Sequence, residues 1–232
     1  SRDQKCLIKM QSSNSDILKE SLYEKLLFFF DEEIKKKSNK KYIIGVDEVG
    51  RGPLAGPLVA AASVIFNYSD WMNDINDSKK ISHSKREEIF KKMIFSRDIK
   101  LSFSYVDNYK IDEINILNAS LLAMKKAVEK LVGYLNLDKS DFIVVVDGNK
   151  KIKDLNYEQI SVVRGDSKSV SVAAASVFAK VIRDRWMDVI HIACPHYDFK
   201  KHKGYPTKKH IEMIKKYGIS PYHRKSFSPC NI

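Results

Sequence analysis

Short apolar, β-branched runs alternate along this chain with longer amphipathic stretches, and that texture predicts an α/β architecture. Tyr42 to Val46 and Leu58 to Phe66 are compact runs bounded by Gly and Pro, as buried strands are. Ser84-Lys85-Arg86-Glu87 fits a capping box. After it, Ile89, Phe90, Met93 and Ile94 recur on one face of a helix. Leu101 to Val106 reads as a third strand, and Ile116 to Val132 as a second helix stopped at Gly133. Phe142 to Val146 is an unbroken apolar run ending at Asp147-Gly148, and Gln159 to Val163 is a further strand ending at Arg164-Gly165-Asp166. Ser169 to His191 is Ala-rich and predicts a long helix lying close to the sheet. Thr207 to Tyr217 predicts a short basic helix closed by Gly218. The early strands follow one another without room for helical crossovers, so the sheet is expected to be mixed.

Residues 1–41 have a different texture: polar, with one amphipathic stretch through Ile17, Leu22, Leu26 and Phe29, then the run Lys35 to Lys41. They read as a helical extension and a basic linker ahead of a catalytic domain over 42–232. The apolar run Leu26 to Phe30 is followed at once by Asp31, Glu32 and Glu33, too soon for a signal segment or a membrane span. Cys6, Cys194 and Cys230 are odd in number and lack metal-ligand spacing, which fits a reducing cytoplasm. Because the chain opens on Ser1 rather than Met, its first residues are given no functional weight.

Composition changes the picture by its sign. Across 232 residues, 41 Lys and Arg oppose 29 Asp and Glu, a formal charge of +12. Such a balance favours a polyanionic partner, nucleic acid first. Residues 198–225 hold nine Lys or Arg against Asp198 and Glu212, so +7 of that excess sits in one segment, the footprint of a phosphate-binding surface. His196, Tyr197, His202, Tyr205, His210, Tyr217, Tyr222 and His223 are interleaved there. Each ring taken singly is expected to pack, although one among lysines can also stack on a sugar or base.

The acids carry the candidate chemistry. Asp47 and Glu48 follow an apolar strand and precede Val49-Gly50-Arg51-Gly52-Pro53, a place where open α/β sheets bind ligands. A solvated turn pair is the plainer reading, and adjacent strand residues face opposite ways, so both serve one site only if the strand breaks or bulges. Asp147 ends what reads as a central strand, where a carboxylate needs a cation or hydrogen-bond donors, a capping or turn role being the alternative. Asp166 alone would be a helix N-terminal acid. Together the four are the oxygen ligands that Mg²⁺ or Mn²⁺ prefer, and two such ions can clamp an in-line phosphoryl displacement. Asp184, on the long helix, lies too far along it to join Asp166 and reads as a local ion-pair partner. Gly50 and Gly52 around Arg51 are turn formers that also let backbone approach a ligand closely, and Lys79 in Asp77-Ser78-Lys79-Lys80 is a minor candidate for phosphate contact.

In order along residues 42–229, these pieces resemble the bacterial ribonuclease HII family. The resemblance runs through Gly45-Val46-Asp47-Glu48-Val49-Gly50-Arg51-Gly52-Pro53, Asp77-Ser78-Lys79-Lys80, Asn115-Ile116 with Asn118-Ala119-Ser120, Val146-Asp147-Gly148 and Arg164-Gly165-Asp166-Ser167-Lys168-Ser169. It continues through Ala173-Ala174-Ala175-Ser176, Ala179-Lys180-Val181, Arg183-Asp184-Arg185, His202-Lys203-Gly204-Tyr205 and His223-Arg224-Lys225-Ser226-Phe227. It implies a ribonuclease-H-like fold, a mixed five-stranded sheet flanked by helices with a C-terminal helical portion. It implies cleavage of RNA in RNA–DNA hybrids, and cutting 5′ of a single ribonucleotide in duplex DNA to leave 3′-hydroxyl and 5′-phosphate ends. By the same resemblance Asp47, Glu48, Asp147 and Asp166 match metal-binding acids. Gly50, Arg51 and Gly52 match contacts to the ribonucleotide 2′-hydroxyl, and Tyr205 a ring stacked on the neighbouring deoxyribose. The first 41 residues are too short for the N-terminal domain of the sister family, ribonuclease HIII, which also lacks this Gly-Arg-Gly. The end soon after Phe227 leaves no expected room for the clamp-binding tail of some relatives. A monomer is expected. A related nuclease of resolvase or transposase type, and a non-catalytic basic nucleic-acid-binding protein, are the competing readings.

Overall fold

A computed structural model describes residues 26–75 and 81–231 of the chain. Helix α1 spans 26–38. Then follow β1 (Tyr42–Val49), β2 (Leu58–Ile65), α2 (His83–Phe95), β3 (Ile99–Val106), α3 (Asn108–Leu135), β4 (Phe142–Asp147), β5 (Gln159–Val162), α4 (Val170–Ala193), α5 (Phe199–His202) and α6 (Lys208–Tyr217). The five strands lie in the order β3-β2-β1-β4-β5. The pairs β1–β2 and β2–β3 are antiparallel, while β1–β4 and β4–β5 are parallel. This is the expected mixed five-stranded α/β sheet, with helices behind and in front and a C-terminal helical portion.

Strand alternation assigns the two layers. Leu58, Ala60, Ala62 and Val64 of β2 pack with Ala123, Ala127 and Leu131 of α3, while Val59 and Ala61 face Ala173, Ala174 and Val177 of α4. Small residues set the α4 distance. A Cβ built on Gly45 of β1 would lie 2.2 Å from the carbonyl carbon of Ser171, so helix and strand backbones touch there. The Ser63 hydroxyl donates to Ser171 O at 2.6 Å, tying β2 to the same turn. From α1, Asp31 accepts from the N–H of Ser171 at 3.0 Å and from its hydroxyl at 2.7 Å, a carboxylate at the start of α4 where the helix dipole favours it.

Four expectations about elements change. Lys35, Lys36 and Lys37, expected in a linker, lie inside α1, whose Leu27 and Ile34 are buried against the core; the earlier part of the expected extension, from Ile17, lies outside the described residues. The N-cap of α2 is Ser82 rather than Ser84: Ser82 has extended backbone angles and its side chain accepts from Lys85 N. Glu87 is thereby released from any capping box and pairs with Arg185 of α4 at 2.6 Å. Finally α3 starts earlier and passes through Gly133, to be stopped by left-handed Asn136, with a break at Asn115 (φ 66°). The Asn115 side chain accepts from the N–H groups of Leu117 and Asn118 and so restarts the helix at the expected Ile116.

Candidate active site

Strand β1 runs unbroken through Asp47 and Glu48, paired in register with Ala61 and Ala60 of β2, so the break or bulge on which a shared site was made to depend is absent. The two carboxylates do leave on opposite faces. Asp47 is hydrogen-bonded to Ser176 of α4 and Glu48 to Ser120 of α3, the helices that cover the two sides of the sheet. They serve one cleft because the sheet ends there. The parallel neighbour β4 pairs Val146 with Val46 and finishes one residue later at Asp147, which brings the third acid level with the first. A cleft of about 520 Å³ is lined by Asp47, Glu48, Asp147, the Val49 to Gly52 turn, Ser176, Lys180 and Tyr205. Asp166, in the short 3-10 turn Gly165–Ser167, is buried and close enough for its charge to act on Asp47. Gly165 N–H donates to Asp147 Oδ1 at 2.6 Å, which couples the third acid to the segment of the fourth.

Asp47 is only 6% exposed. Burial first, then the charges of Glu48, Asp147 and Asp166, hold its carboxyl well above the usual range. Burial also raises Glu48, against the pull of Arg51, whose guanidinium stands 3.5 Å from Glu48 Oε1. Acids that crowd this way are electrostatically frustrated unless a cation joins them. Among the described residues no three His, Cys, Asp or Glu side chains converge closely enough to cage an ion unaided. Carboxylate oxygens are the donors that a hard cation such as Mg²⁺ takes beside waters and phosphate oxygens, so the donor chemistry suits such an ion.

The turn after β1 is held from behind by two buried arginines. Arg224 is fully buried. It donates to Gly50 O at 2.7 Å, to Arg51 O at 3.2 Å, and to Gly56 O at 2.9 and 3.1 Å. Arg183 of α4 donates to Pro57 O at 2.9 Å, Ala55 O at 3.2 Å and Lys203 O at 3.0 Å. Backbone carbonyls of the 50–57 turn are thus claimed by guanidinium groups. Gly50 has φ +100°, and a Cβ on it would sit 2.4 Å from Arg183 Nε and 2.9 Å from Pro57 O. A Cβ on Gly52 would meet nothing nearer than the Tyr205 ring at 3.6 Å. Gly50→Ala is therefore expected to lower stability by more than about 1 kcal/mol, as a forced left-handed residue does, whereas Gly52→Ala melts like the parent and loses activity instead. Urea denaturation of the two variants, run with cleavage assays, separates these outcomes.

In the C-terminal segment, Lys200, Lys201, Lys208, Lys209, Lys215 and Lys216 are exposed, in keeping with a basic surface. Arg224, one of the nine cations, is not on that surface. Tyr197, His210 and His223 pack in the interior as the single-ring expectation had it, while Tyr205 is 39% exposed at the cleft. Asp184 pairs with Lys180 at 2.7 Å, as a local ion pair. Lys79 lies outside the described residues. A larger groove of about 720 Å³ along β3 and α3 holds three lysines and a single acid, Asp107, which caps α3 and leaves no comparable cluster.

Ser120, Ser176, Lys180, Arg183 and Arg224 were not singled out as site residues from sequence. All five lie in runs that carry the family resemblance, without a role given to them there, and Ser176, Lys180 and Arg183 also recur at helical spacing as the polar stripe of an otherwise Ala-rich, apolar helix.

A family profile described as Ribonuclease HII matches residues 44–230. A curated relative named Ribonuclease HII from Fusobacterium nucleatum is 45% identical over 212 residues, which is 91% of this chain and 94% of that relative. The crystal structure of the ribonuclease H2 from Pyrococcus horikoshii superposes with a TM-score of 0.60 at 30% identity, covering 82% of this chain and 95% of that one. A structure of Bst-RNase HIII in complex with Mn²⁺ shares the fold, with a TM-score of 0.60 at 19% identity over 78% of this chain and 65% of that one.

Proposed function

The chain belongs to the ribonuclease HII family and is a ribonuclease H endonuclease, and from that premise we propose that it cuts duplex DNA 5′ of a single embedded ribonucleotide as well as the RNA strand of RNA–DNA hybrids. The observation that carries the reading is one cleft holding the Asp47, Glu48 and Asp147 carboxylates, the Gly50-Arg51-Gly52 turn and the Tyr205 ring.

Asp47, Glu48, Asp147 and Asp166 are the residues that would hold Mg²⁺ or Mn²⁺. Bound there, a pair of such ions would activate the attacking water and offset the charge that builds on the phosphate and on the departing 3′ oxygen. Mn²⁺ is the ion in the Bst-RNase HIII neighbour. The remaining work is recognition by the chain itself. A 2′-hydroxyl is both donor and acceptor, and it is the group by which protein tells RNA from DNA. The turn at Gly50 to Gly52, without side chains at two of three positions, lets backbone reach that hydroxyl. Tyr205 stands beside Gly52, so a ring able to stack on the next sugar adjoins the place where the ribose is read. The exposed lysines of residues 200–216 would hold the phosphate backbone, which makes affinity fall with salt. Among the described residues no helix is long and apolar enough to cross a membrane.

The test is an end-labelled DNA duplex carrying one ribonucleotide, incubated with Mg²⁺ or Mn²⁺ beside an all-DNA duplex. A single cut on the 5′ side of the ribonucleotide, with a 3′-hydroxyl on the upstream product, is the expected result. Cutting of the all-DNA duplex would overturn recognition of the 2′-hydroxyl and favour a resolvase-type nuclease. Tight binding with no cutting in either ion would overturn catalysis.

A further inference from the structure

We propose that His210 and His223 are positioning residues, forming a buried, directional hydrogen-bond relay that ends on the main-chain carbonyl of Tyr205 and fixes that ring at the cleft. The inference rests on the reading of Tyr205 as the ring that meets the substrate.

The direction of the relay follows from its donors. Ser220 N–H donates to His223 Nδ1 at 2.8 Å, so that nitrogen is an acceptor and the His223 proton sits on Nε2. His223 Nε2 is 3.0 Å from His210 Nε2, which must then accept. The His210 proton is left on Nδ1, 2.9 Å from Tyr205 O, to which it donates. The Ser220 hydroxyl, 2.7 Å from the same His223 Nδ1, then donates to it as well, and one pair of neutral tautomers satisfies these contacts. Both rings are essentially unexposed. Burial pushes both imidazoles down to about 4, which keeps them neutral as the relay requires.

The surroundings hold Tyr205 chiefly by its main chain, with the Arg183 guanidinium 5.8 Å from the centre of its ring. Its N–H donates to His202 O at 2.9 Å, and its carbonyl also accepts from Thr207 N–H at 2.8 Å. The His202 ring lies against that of His210 with centroids 4.4 Å apart. At the other end, His223 O accepts from Asn108 at 3.1 Å, and the next residue is Arg224, which grips the 50–56 carbonyls. The relay therefore joins the turn that would read the ribose to the ring that would stack on its neighbour, keeping the two in register.

Two variants separate the nitrogen atoms. An Asn amide stands near the position of His Nδ1 and keeps a donor for Tyr205 O, while a Gln amide stands near Nε2 and keeps only the link to His223. His210→Gln is expected to raise KM for the single-ribonucleotide duplex about tenfold, the equivalent of one lost hydrogen bond, with kcat less affected and cuts spreading from the junction. His210→Asn should stay within about threefold of the parent, a change under one such bond. In a Tyr205→Ala background, His210→Gln should add nothing, since both remove the same placement. Equal damage from Asn and Gln, or full additivity with Tyr205→Ala, would overturn the relay. If Tyr205→Ala leaves cleavage position and KM unchanged, the reading of Tyr205 itself fails, a different result from an inert His210→Gln beside a damaging Tyr205→Ala. Should His210→Gln not fold, nitrogen NMR of the parent's imidazoles decides: a proton on His223 Nε2 and on His210 Nδ1 supports the relay, and the opposite tautomers sink it.

Discussion

Asp47→Asn is expected to cost at least about 10²- to 10³-fold in cleavage, the range for removing one preorganised electrostatic group, while raising the melting temperature of the metal-free protein. The two effects share one cause. Asp47 is buried, and Glu48, Asp147 and Asp166 add like charge, so its ionised form is disfavoured in the folded state. A folded pKa above the unfolded one means that the native chain binds more protons; wild-type stability improves as pH falls through the raised pKa and is depressed above it. Asparagine is the same shape, can accept from the Glu48 N–H that now sits 2.7 Å from Asp47 Oδ1, can donate to Ser176, and carries no charge. The melting advantage of the variant in EDTA should therefore widen with rising pH and vanish in acid. Added Mg²⁺ should stabilise the parent more than the variant, because an ion that binds only the native state shifts unfolding by mass action. A variant that cuts normally, or that melts below the parent at alkaline pH in EDTA, would refute the account.

Arg224→Met should be among the most damaging single changes available in the chain. The guanidinium makes four hydrogen bonds to the carbonyls of Gly50, Arg51 and Gly56, and methionine fills the space of the stem without offering a donor. Each buried carbonyl left unpaired costs about 1–3 kcal/mol. Part of that is returned, because burial and the charge of Arg183 already work against the Arg224 cation. A net loss of about 3–5 kcal/mol follows from these magnitudes, and with it a fall of roughly 10 °C in melting temperature for a chain of this size. Arg224→Lys retains one charge and one donor group and should fall between the two. Urea titration reads this directly, and a loss below about 1 kcal/mol for the Met variant would show that the carbonyls find other donors.

These two sites also mark how far the sequence could be read. Asp47 and Asp147 were legible because an apolar run that ends in an acid is unusual; strand burial is written in the residues before the carboxylate. Asp166 was less so, since an acid ahead of a helix has an ordinary explanation until β4 is known to lie beside it. The separation of Asp47 and Glu48 onto opposite faces was anticipated from strand geometry, but the sequence does not say where the sheet ends, and the end is what lets both reach one cleft. Arg183 and Arg224 were hidden for a different reason. In Arg183-Asp184-Arg185 and His223-Arg224-Lys225 an arginine looks like one more surface charge, and its burial is explained only by a turn more than a hundred residues away whose carbonyls need donors. The start of α2 was missed for a local reason: Ser82 and Ser84 are equally good caps by composition, and backbone angles chose between them.

The contact at Gly45 has a consequence for anyone who would move this chemistry elsewhere. Since strand and helix backbones meet there with no room for a methyl group, the spacing between β1, which carries Asp47, and α4, which carries Ser176 and Lys180, is set by an absent side chain. Grafting the acids alone onto another sheet would transplant the carboxylates and leave behind the ruler that spaces them. The smallest portable unit is the strand together with the helix pressed against it.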